Sequence, residues 1–375
     1  MKPQQAVAEL TFIVAGDPDQ WTGGYVYDAR IVAELRRQAW RVDVVGLEGR
    51  FPQADQRARR SLSQALAALP DTALVVIDGL AMGGLAEEVE REAERLQIVS
   101  LVHHPLADEA GLVEAQRRAF RDSEARALAA ARRVIVTSQH TARALRDYGV
   151  PARRLRVVEP GVDKASPATG AQDQEATTRP WRLLCVATLI PRKGLGLLVE
   201  ALACLTDRPW VCEIVGSHDR DPAHAAHLRE ITRRHGLTER IIWAGERDAD
   251  ALDAAYQRAD LFVLPSLYEG YGMVVTEALS RGLPVITTTG GALADTLPPE
   301  AGIAVPPGDA GALREALSRW LDDADTRREL RHGAYRARQR LTDWQQAGQR
   351  FLAALEGLPD TSIAGTFRAE RGLPS

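Results

Sequence analysis

Three cysteines, Cys185, Cys204 and Cys212, are all that this 375-residue chain carries, and no two of them stand in a C-x-x-C spacing. So sparse and odd a set does not make a disulfide framework. Cys185 and Cys212 fall in apolar runs that read as buried strands, which fits a reducing compartment. No apolar run approaches the ~20 residues needed to cross a bilayer, which excludes a spanning helix. The opening MKPQQAVAEL has no signal-peptide core, and the expected location is cytoplasmic. Basic residues are not in excess: 47 Lys and Arg against 51 Asp and Glu leave a net charge of −4, which argues against a general nucleic-acid binder. No short-period repeat is present. What remains is a soluble, globular composition, 45% apolar and 26% charged. The length is too great for one ordinary domain and suits two, each able to bury its own core.

Strand and helix signals alternate through both halves, as in α/β folds with parallel sheets. LTFIVAG, a helix around Tyr27–Gln38 and RVDVVGL form the first β-α-β unit. Strands follow at ALVVIDG, QIVSLVHH and RRVIVTS; Ser138 is placed to cap a helix that Gly149 stops. LRVVEPGVD closes this half. Residues 165–180, ASPATGAQDQEATTRP, have almost no bulky apolar side chain and read as a linker. The second half repeats the rhythm through WRLLCVATL, VCEIVGS, RIIWAGE, DLFVLPS and PVITTT. The expectation is an N-terminal domain over 1–165, a linker over 166–180 and a second domain over 181–345. Each is a Rossmann-like doubly wound sheet, with ligands at strand C-termini in a cleft that the two face. Residues 324–358 read as helical.

The densest signal is SLYEGYGMVVTEALSRGLPVITTT, in which Glu269 and Glu277 form an E-x7-E spacing. Leu261–Leu264 is a short apolar run closed by Pro265, as a buried parallel strand requires. Gly270 and Gly272 permit a tight turn with close backbone approach. A helix starts near Met273 and stops at Gly282, with Pro284 beyond. A glycine turn that opens a helix after a strand suits an anion, because free N–H groups and the helix dipole point at it. Two carboxylates flanking that anion are poor phosphate ligands but good acceptors for sugar and ribose hydroxyls. A lone E-x7-E would be two solvated glutamates; the strand, glycines and following strand favour a site.

This segment resembles the retaining glycosyltransferases of family 4, which have the GT-B fold. The resemblance implies that Glu269 contacts donor-sugar hydroxyls and Glu277 the ribose hydroxyls. Gly270, Tyr271, Gly272 and Met273 would then present backbone amides to the sugar and distal phosphate. VATLIPRKGLGLLVEALA is the second resemblance, placing Arg192 and Lys193 as the cations that neutralise the departing diphosphate. Many family members have G-R where this chain has Ala187-Thr188, so Arg192 is the candidate substitute. His103, ending the strand IVSLVHH, takes the place of a family histidine that contacts the transferred sugar. Gly23 and Gly24 resemble the glycine loop near the donor phosphates. Gly245 and Glu246 occupy the position where the base packs. TDWQQAGQRFLAAL, from Thr342 to Leu355, resembles the GT-B terminal helix that crosses back to the first domain, expected over about residues 346–358. Glu159-Pro160-Gly161-Val162-Asp163 resembles the hinge.

Other patterns lead elsewhere. Gly194-Leu-Gly196 lacks the third glycine of a dinucleotide fingerprint and stands too far past its strand, so NAD binding is rejected. Asp17-Pro18-Asp19 reads as a turn, not a metal D-x-D. His224 and His227 have helical spacing but no completing ligand. Arg59, Arg60, Arg117, Arg118, Arg121, Arg126, Arg132 and Arg133 make parts of the first half basic, yet interspersed acids favour a solvated helix face over a membrane-docking one. The resemblance thus implies a hexosyltransferase that moves a sugar from a nucleoside diphosphate sugar, UDP or GDP by analogy, to an acceptor hydroxyl the sequence does not identify. Front-face attack would need neither a metal nor another cofactor. Three alternatives stay open: a nucleotide-sugar epimerase, a phosphorylase, and a non-catalytic nucleotide-sugar-binding subunit.

Overall fold

The computed structural model describes residues 8–20, 22–109, 111–169 and 179–358. The chain forms two units, one running to Glu159 and resuming at Trp344, the other Pro160–Asp343. Each holds six parallel strands.

The first unit carries β1 (Glu9–Ala15), β2 (Arg41–Leu47), β3 (Leu74–Asp78), β4 (Gln97–Val102), β5 (Arg133–Val136) and β6 (Leu155–Val157), in the order β2-β1-β3-β4-β5-β6. β3 and β4 are buried at every residue, which is why they read as continuous apolar runs rather than alternating ones. The order reverses between β1 and β3, and the loops leaving such a pair diverge to open a crevice at their C-terminal ends. The first helix spans Gly23–Arg37, beginning four residues before the expected Tyr27. Thr22 is extended, and its carbonyl accepts the first helical bond from Val26 at 2.9 Å. Gly23 and Gly24 therefore lie in the first helical turn, not in a free loop.

The helix Trp344–Leu355 belongs to this unit. Trp344 packs edge-on to Tyr27 at 6.0 Å, and Arg30 lies 5.7 Å over its ring. A Cβ at Gly348 would stand 2.6 Å from the Cβ of Glu34. Glycine there lets this helix press against Gly23–Arg37.

The second unit carries β7 (Trp181–Val186), β8 (Trp210–Val215), β9 (Ile241–Gly245), β10 (Leu261–Leu264), β11 (Val285–Thr288) and β12 (Gly302–Val305), in the order β12-β11-β10-β7-β8-β9. Counted from its own first strand this is the Rossmann order, and it reverses between β7 and β10. The segment expected to begin a linker is partly docked here. Val162 N–H donates to Thr342 O at 2.9 Å, Ala168 N–H to Arg281 O at 2.8 Å and Thr169 N–H to Gln257 O at 3.1 Å. The unit starts at Pro160, where the expectation was an N-terminal domain to 165, a linker and a second domain from 181; residues 170–178 of the expected linker lie outside the described residues. The expected helical stretch from 324 resolves into Ala324–Arg338 and the separate Trp344–Leu355, preceded by Ala310–Asp322. Among the described residues no helix is long and apolar enough to cross a membrane.

Candidate functional site

The point where the second sheet reverses brings two loops together. After β7 the chain makes a 3₁₀ turn at Pro191–Lys193 and leaves it through Gly194, whose φ is +64°. A Cβ on Gly194 would stand 2.2 Å from the carbonyl oxygen of Pro265, at the end of β10. Leu267 N–H donates to Arg192 O at 2.8 Å, so the backbones are laced together. Arg192 and Lys193 are thereby delivered to Glu269.

Lys193 Nζ stands 2.5 Å from Glu269 Oε1, and Ser266 Oγ donates to the same oxygen at 2.6 Å. Arg192 Nη1 lies 3.3 Å from Glu269 Oε2 and donates to Tyr268 O at 2.7 Å. Glu269 is 7% exposed. Burial opposes its ionisation most strongly, but Lys193 and Arg192 together outweigh burial and hold the carboxyl at about 2. It is a permanent carboxylate at neutral pH. With two cations and one anion the cluster carries a net charge of +1, as an anion site should.

Two glycines missed in the sequence fix Glu269 from behind. A Cβ on Gly290 would meet Leu267 O at 2.3 Å, and one on Gly291 would meet Glu269 O at 2.2 Å. Ala292 N–H donates to that carbonyl at 2.8 Å. The signal was legible as a glycine pair at the end of a strand, where close backbone approach is the physical reason for glycine.

The helix Met273–Ser280 opens from Gly272 at φ +91°. The left-handed position falls on Gly272 and not on Gly270. Glu277 lies one turn in, half-buried, and accepts from Tyr256 Oη at 2.9 Å. Burial first, and Glu277 next, push the Tyr256 phenol well above its ordinary value, so it stays a donor. Arg281 covers the Tyr256 ring at 4.4 Å and donates to Glu277 O at 3.0 Å. Tyr256 was absent from the expected set; only the fold brings it from its own helix, Ala249–Arg258, to Glu277. Gly245 ends β9 at φ +68°, accepts from Gly216 N–H at 2.9 Å, and is followed by an exposed Glu246. Gly216 itself closes on β7, where a Cβ would lie 2.0 Å from Ala187 O.

His103 belongs to the first unit, just beyond β4. Its Nε2 lies 3.1 Å from Asp28 Oδ1 and 3.3 Å from Asp78 Oδ2. Asp28 is on the helix Gly23–Arg37 and Asp78 ends β3, at the point where this sheet reverses. A Cβ on Gly24 would press on His103 Cδ2 at 3.2 Å, whereas one on Gly23 would meet nothing within 4 Å. Of the two glycines, only Gly24 is required by the packing of this histidine. Burial is the largest influence on His103 and acts to lower it, but the two carboxylates prevail and raise it to about 10. Asp28 is pushed up to about 6 by burial, against the pull of His103. Asp28 and Asp78 escaped the sequence reading, although a carboxylate closing the buried strand LVVID was a visible oddity.

Among the described residues, these three are the one grouping of carboxylates, thiols and imidazoles tight enough for a cation, all within 4.8 Å. Both contacts converge on one ring nitrogen, and a shared proton accounts for them. His104 pairs separately with Glu109 at 2.7 Å. The Asp17 carboxylate accepts from Asp19 N–H at 2.9 Å, as a turn would. Several arginines of the first unit have structural partners: Arg59 with Glu88 at 3.1 Å, Arg126 with Glu90 at 2.5 Å, and Arg117 with Ala107 O at 2.6 Å.

The family model described as glycosyltransferase family 4 matches residues 21–166, and that described as glycosyl transferases group 1 matches residues 170–337. The chain belongs to glycosyltransferase family 4. A D-inositol 3-phosphate glycosyltransferase from Salinispora tropica is 30% identical over 233 residues, covering 57% of this chain and 48% of the relative. The family-4 chain spans about half the length of the first curated relatives it matches. A sucrose-phosphate synthase from Thermosynechococcus elongatus superposes with a TM-score of 0.76 at 24% identity, over 93% of this chain and 98% of the other. HepE from Anabaena, in complex with UDP-glucose, gives 0.71 at 18% identity, over 92% and 99%. These structural likenesses are of fold, and the fold is GT-B.

Proposed function

We propose that this family-4 chain is a retaining hexosyltransferase that takes a sugar from a nucleoside diphosphate sugar and places it on an acceptor hydroxyl without a metal or other cofactor. The observation that carries the reading is the pairing of Lys193 and Arg192 on the buried Glu269 where the second sheet reverses. Diphosphate oxygens would bind against these cations and the backbone of Gly270, Tyr271, Gly272 and Met273. Glu269 would accept from a sugar hydroxyl and Glu277 from the ribose. Gly245 and Glu246 would border the base, and Gly23, Gly24 and His103 would serve the sugar and phosphates.

In the transfer, the anomeric carbon loses its bond to the diphosphate oxygen and gains one to the acceptor oxygen on the same face. The acceptor proton passes to the departing phosphate oxygen, so no protein base is consumed. Charge grows on the diphosphate as the bond breaks, and Lys193 and Arg192 stabilise it there. Glu269 cannot be a glycosidase nucleophile in the usual sense, because its oxygens are already engaged by two cations and a hydroxyl. Support for a nucleotide donor also comes from the UDP-glucose seen with HepE, and for an acceptor hydroxyl from the inositol phosphate named for the Salinispora relative. A cytoplasmic setting is part of the proposal, in keeping with three unpaired cysteines, Cys204 among them exposed.

The test is calorimetry against UDP-, GDP- and ADP-sugars and their free diphosphates, repeated on Glu277→Ala and in EDTA. One donor should bind selectively, lose affinity in the variant and ignore the chelator. Absence of binding by all of them would overturn the reading. Once a donor and acceptor pair is found, an inverted anomeric configuration in the product would overturn retention.

A further inference from the structure

Two buried carboxylates around one histidine ask for an account beyond the donor site. Asp28 is 5% and Asp78 6% exposed, and buried charges persist only when paired. Asp78 is committed: its Oδ1 accepts from Leu80 N–H at 2.8 Å, leaving Oδ2 for His103. The His103 ring is held on its other sides as well. The Tyr27 ring meets it edge-on at 5.4 Å and 82°, and the absence of a side chain at Gly24 admits its Cδ2 edge. Its backbone carbonyl accepts from Thr137 Oγ1 at 3.3 Å and Thr141 Oγ1 at 3.2 Å. The Tyr27 hydroxyl donates away from the cluster, to Val158 O at 2.9 Å. The charged groups that face the ring are thus Asp28 from the first helix and Asp78 from β3. His104 beyond it is paired with Glu109.

We propose that Asp28 and Asp78 are positioning residues that hold His103 as an imidazolium, so that it meets a ligand only as a hydrogen-bond donor and never as a base. A single Nε2–H lies between two carboxylate oxygens, which fixes that nitrogen as the donor and the ring in its plane. Two nearby negative charges then favour a second proton on Nδ1. The side chain is 19% exposed, enough for one substrate oxygen, a hydroxyl or a phosphate, to accept from it. Such a fixed, charged donor needs no reorganisation when negative charge develops near it. The inference rests on the proposed transferase reading for what is bound, but the charge state of His103 stands apart from it.

That separation sets the experiment. The full chain labelled with ¹⁵N in histidine is titrated from pH 6.5 to 8.5, with His103→Gln to assign the resonance. Both ring nitrogens should keep imidazolium shifts throughout. In Asp28→Asn, Asp78→Asn and the double variant, the titration should move progressively into or below this window, because burial without carboxylates favours the neutral ring. A neutral or titrating His103 in the parent chain overturns the proposal, and so does a resonance displaced by one equivalent of zinc. Asp78→Asn also disturbs the cap on Leu80, so Asp28→Asn and the unmodified chain decide if it fails to fold. Where turnover is available, kcat/KM should be flat through this range in the parent and inflected in the double variant. If no donor is turned over, the transferase reading fails and the spectrum still decides the charge.

Discussion

Glu269→Gln should cost stability in a way that depends on pH, and the dependence can be worked from the site. The ordinary glutamate value is 4.5, and Lys193 and Arg192 hold Glu269 at about 2 in the fold. That gap corresponds to roughly 3 kcal/mol of folding stability at neutral pH. Because the folded value is depressed, the contribution is complete well above pH 4.5 and drains away as pH falls through 2. Between pH 7 and pH 3 about 2 kcal/mol of it should be lost. Urea unfolding of the parent and Glu269→Gln at pH 7, 5, 4 and 3 isolates this part, since other carboxylates titrate alike in both and cancel to first order. Tryptophan fluorescence suits the measurement, as Trp181, Trp210, Trp243 and Trp320 all belong to the second unit. The gap between the two proteins should narrow by about 2 kcal/mol from pH 7 to 3. A gap that stays constant would mean that Glu269 is not an ion-paired carboxylate in the fold, and the charge argument for the site would fall with it.

Glu277→Ala should weaken donor binding by about 1–3 kcal/mol in calorimetry, the worth of charge-assisted hydrogen bonds to ribose; unchanged affinity removes Glu277 from the pocket. Lys193→Ala should lower turnover by roughly 10²–10³ while changing donor affinity less, because charge on the diphosphate grows during the reaction; normal turnover removes Lys193 from the mechanism. Gly291→Ala should lower the melting temperature and abolish donor binding together, since φ is +66° and the new Cβ would lie 2.2 Å from Glu269 O; a fully stable, binding-competent variant would show that Glu269 is not fixed from that side. Glu124, pushed up to about 8 by burial, favours the fold while protonated, so its stabilising effect is lost as pH rises from 4.5 through 8. Glu124→Gln should therefore gain stability over the parent as pH climbs from 6 to 8 in urea unfolding, and a constant difference would refute the assignment.

Much of this architecture could be read before any coordinates, because parallel strands buried on both faces announce themselves as apolar runs and their turns as glycine and proline. The E-x7-E segment was legible for the same reason, being a local strand, turn and helix. What could not be read is which loops meet. Arg192 and Glu269 are 77 residues apart and touch only because β7 and β10 are neighbours at the sheet reversal. Asp28, Asp78 and His103 depend likewise on β1, β3 and β4 lying side by side. The misplaced start of the first helix has a different cause. Gly23 and Gly24 are poor helix formers, yet Gly24 is in the first turn because His103 needs the space a side chain would fill. Packing overrode propensity. The same holds for Ala165–Thr169, whose composition reads as the start of a linker though Ala168 and Thr169 are hydrogen-bonded by their backbone N–H groups within the second unit.

The geometry also explains why a carboxylate belongs in a site proposed for an anion. Arg192 and Lys193 side by side would repel each other and bind any passing phosphate; Glu269 neutralises one of the two and holds both in place. An ionised carboxylate offers about four lone-pair directions, and Lys193, Ser266 and Arg192 use three of them. One remains for a hydroxyl donor, so in the proposed transferase a sugar hydroxyl would bind Glu269 without displacing a cation. In the proposed transferase the remaining net charge of +1 would attract the diphosphate, and the spare lone pair would favour a hydroxyl beside it. Lysine suits one of the two cation positions for a related reason. The chain writes nearly all its basic residues as arginine, with Lys2, Lys164 and Lys193 the exceptions. A compact ammonium 2.5 Å from Glu269 and 15% exposed can turn between the carboxylate and a phosphate oxygen, which a planar guanidinium locked in a fork cannot. Arg192 is the fixed member of the pair, tied to the Tyr268 carbonyl, and in the proposed transfer Lys193 would be the member that follows the charge as it moves onto the leaving group.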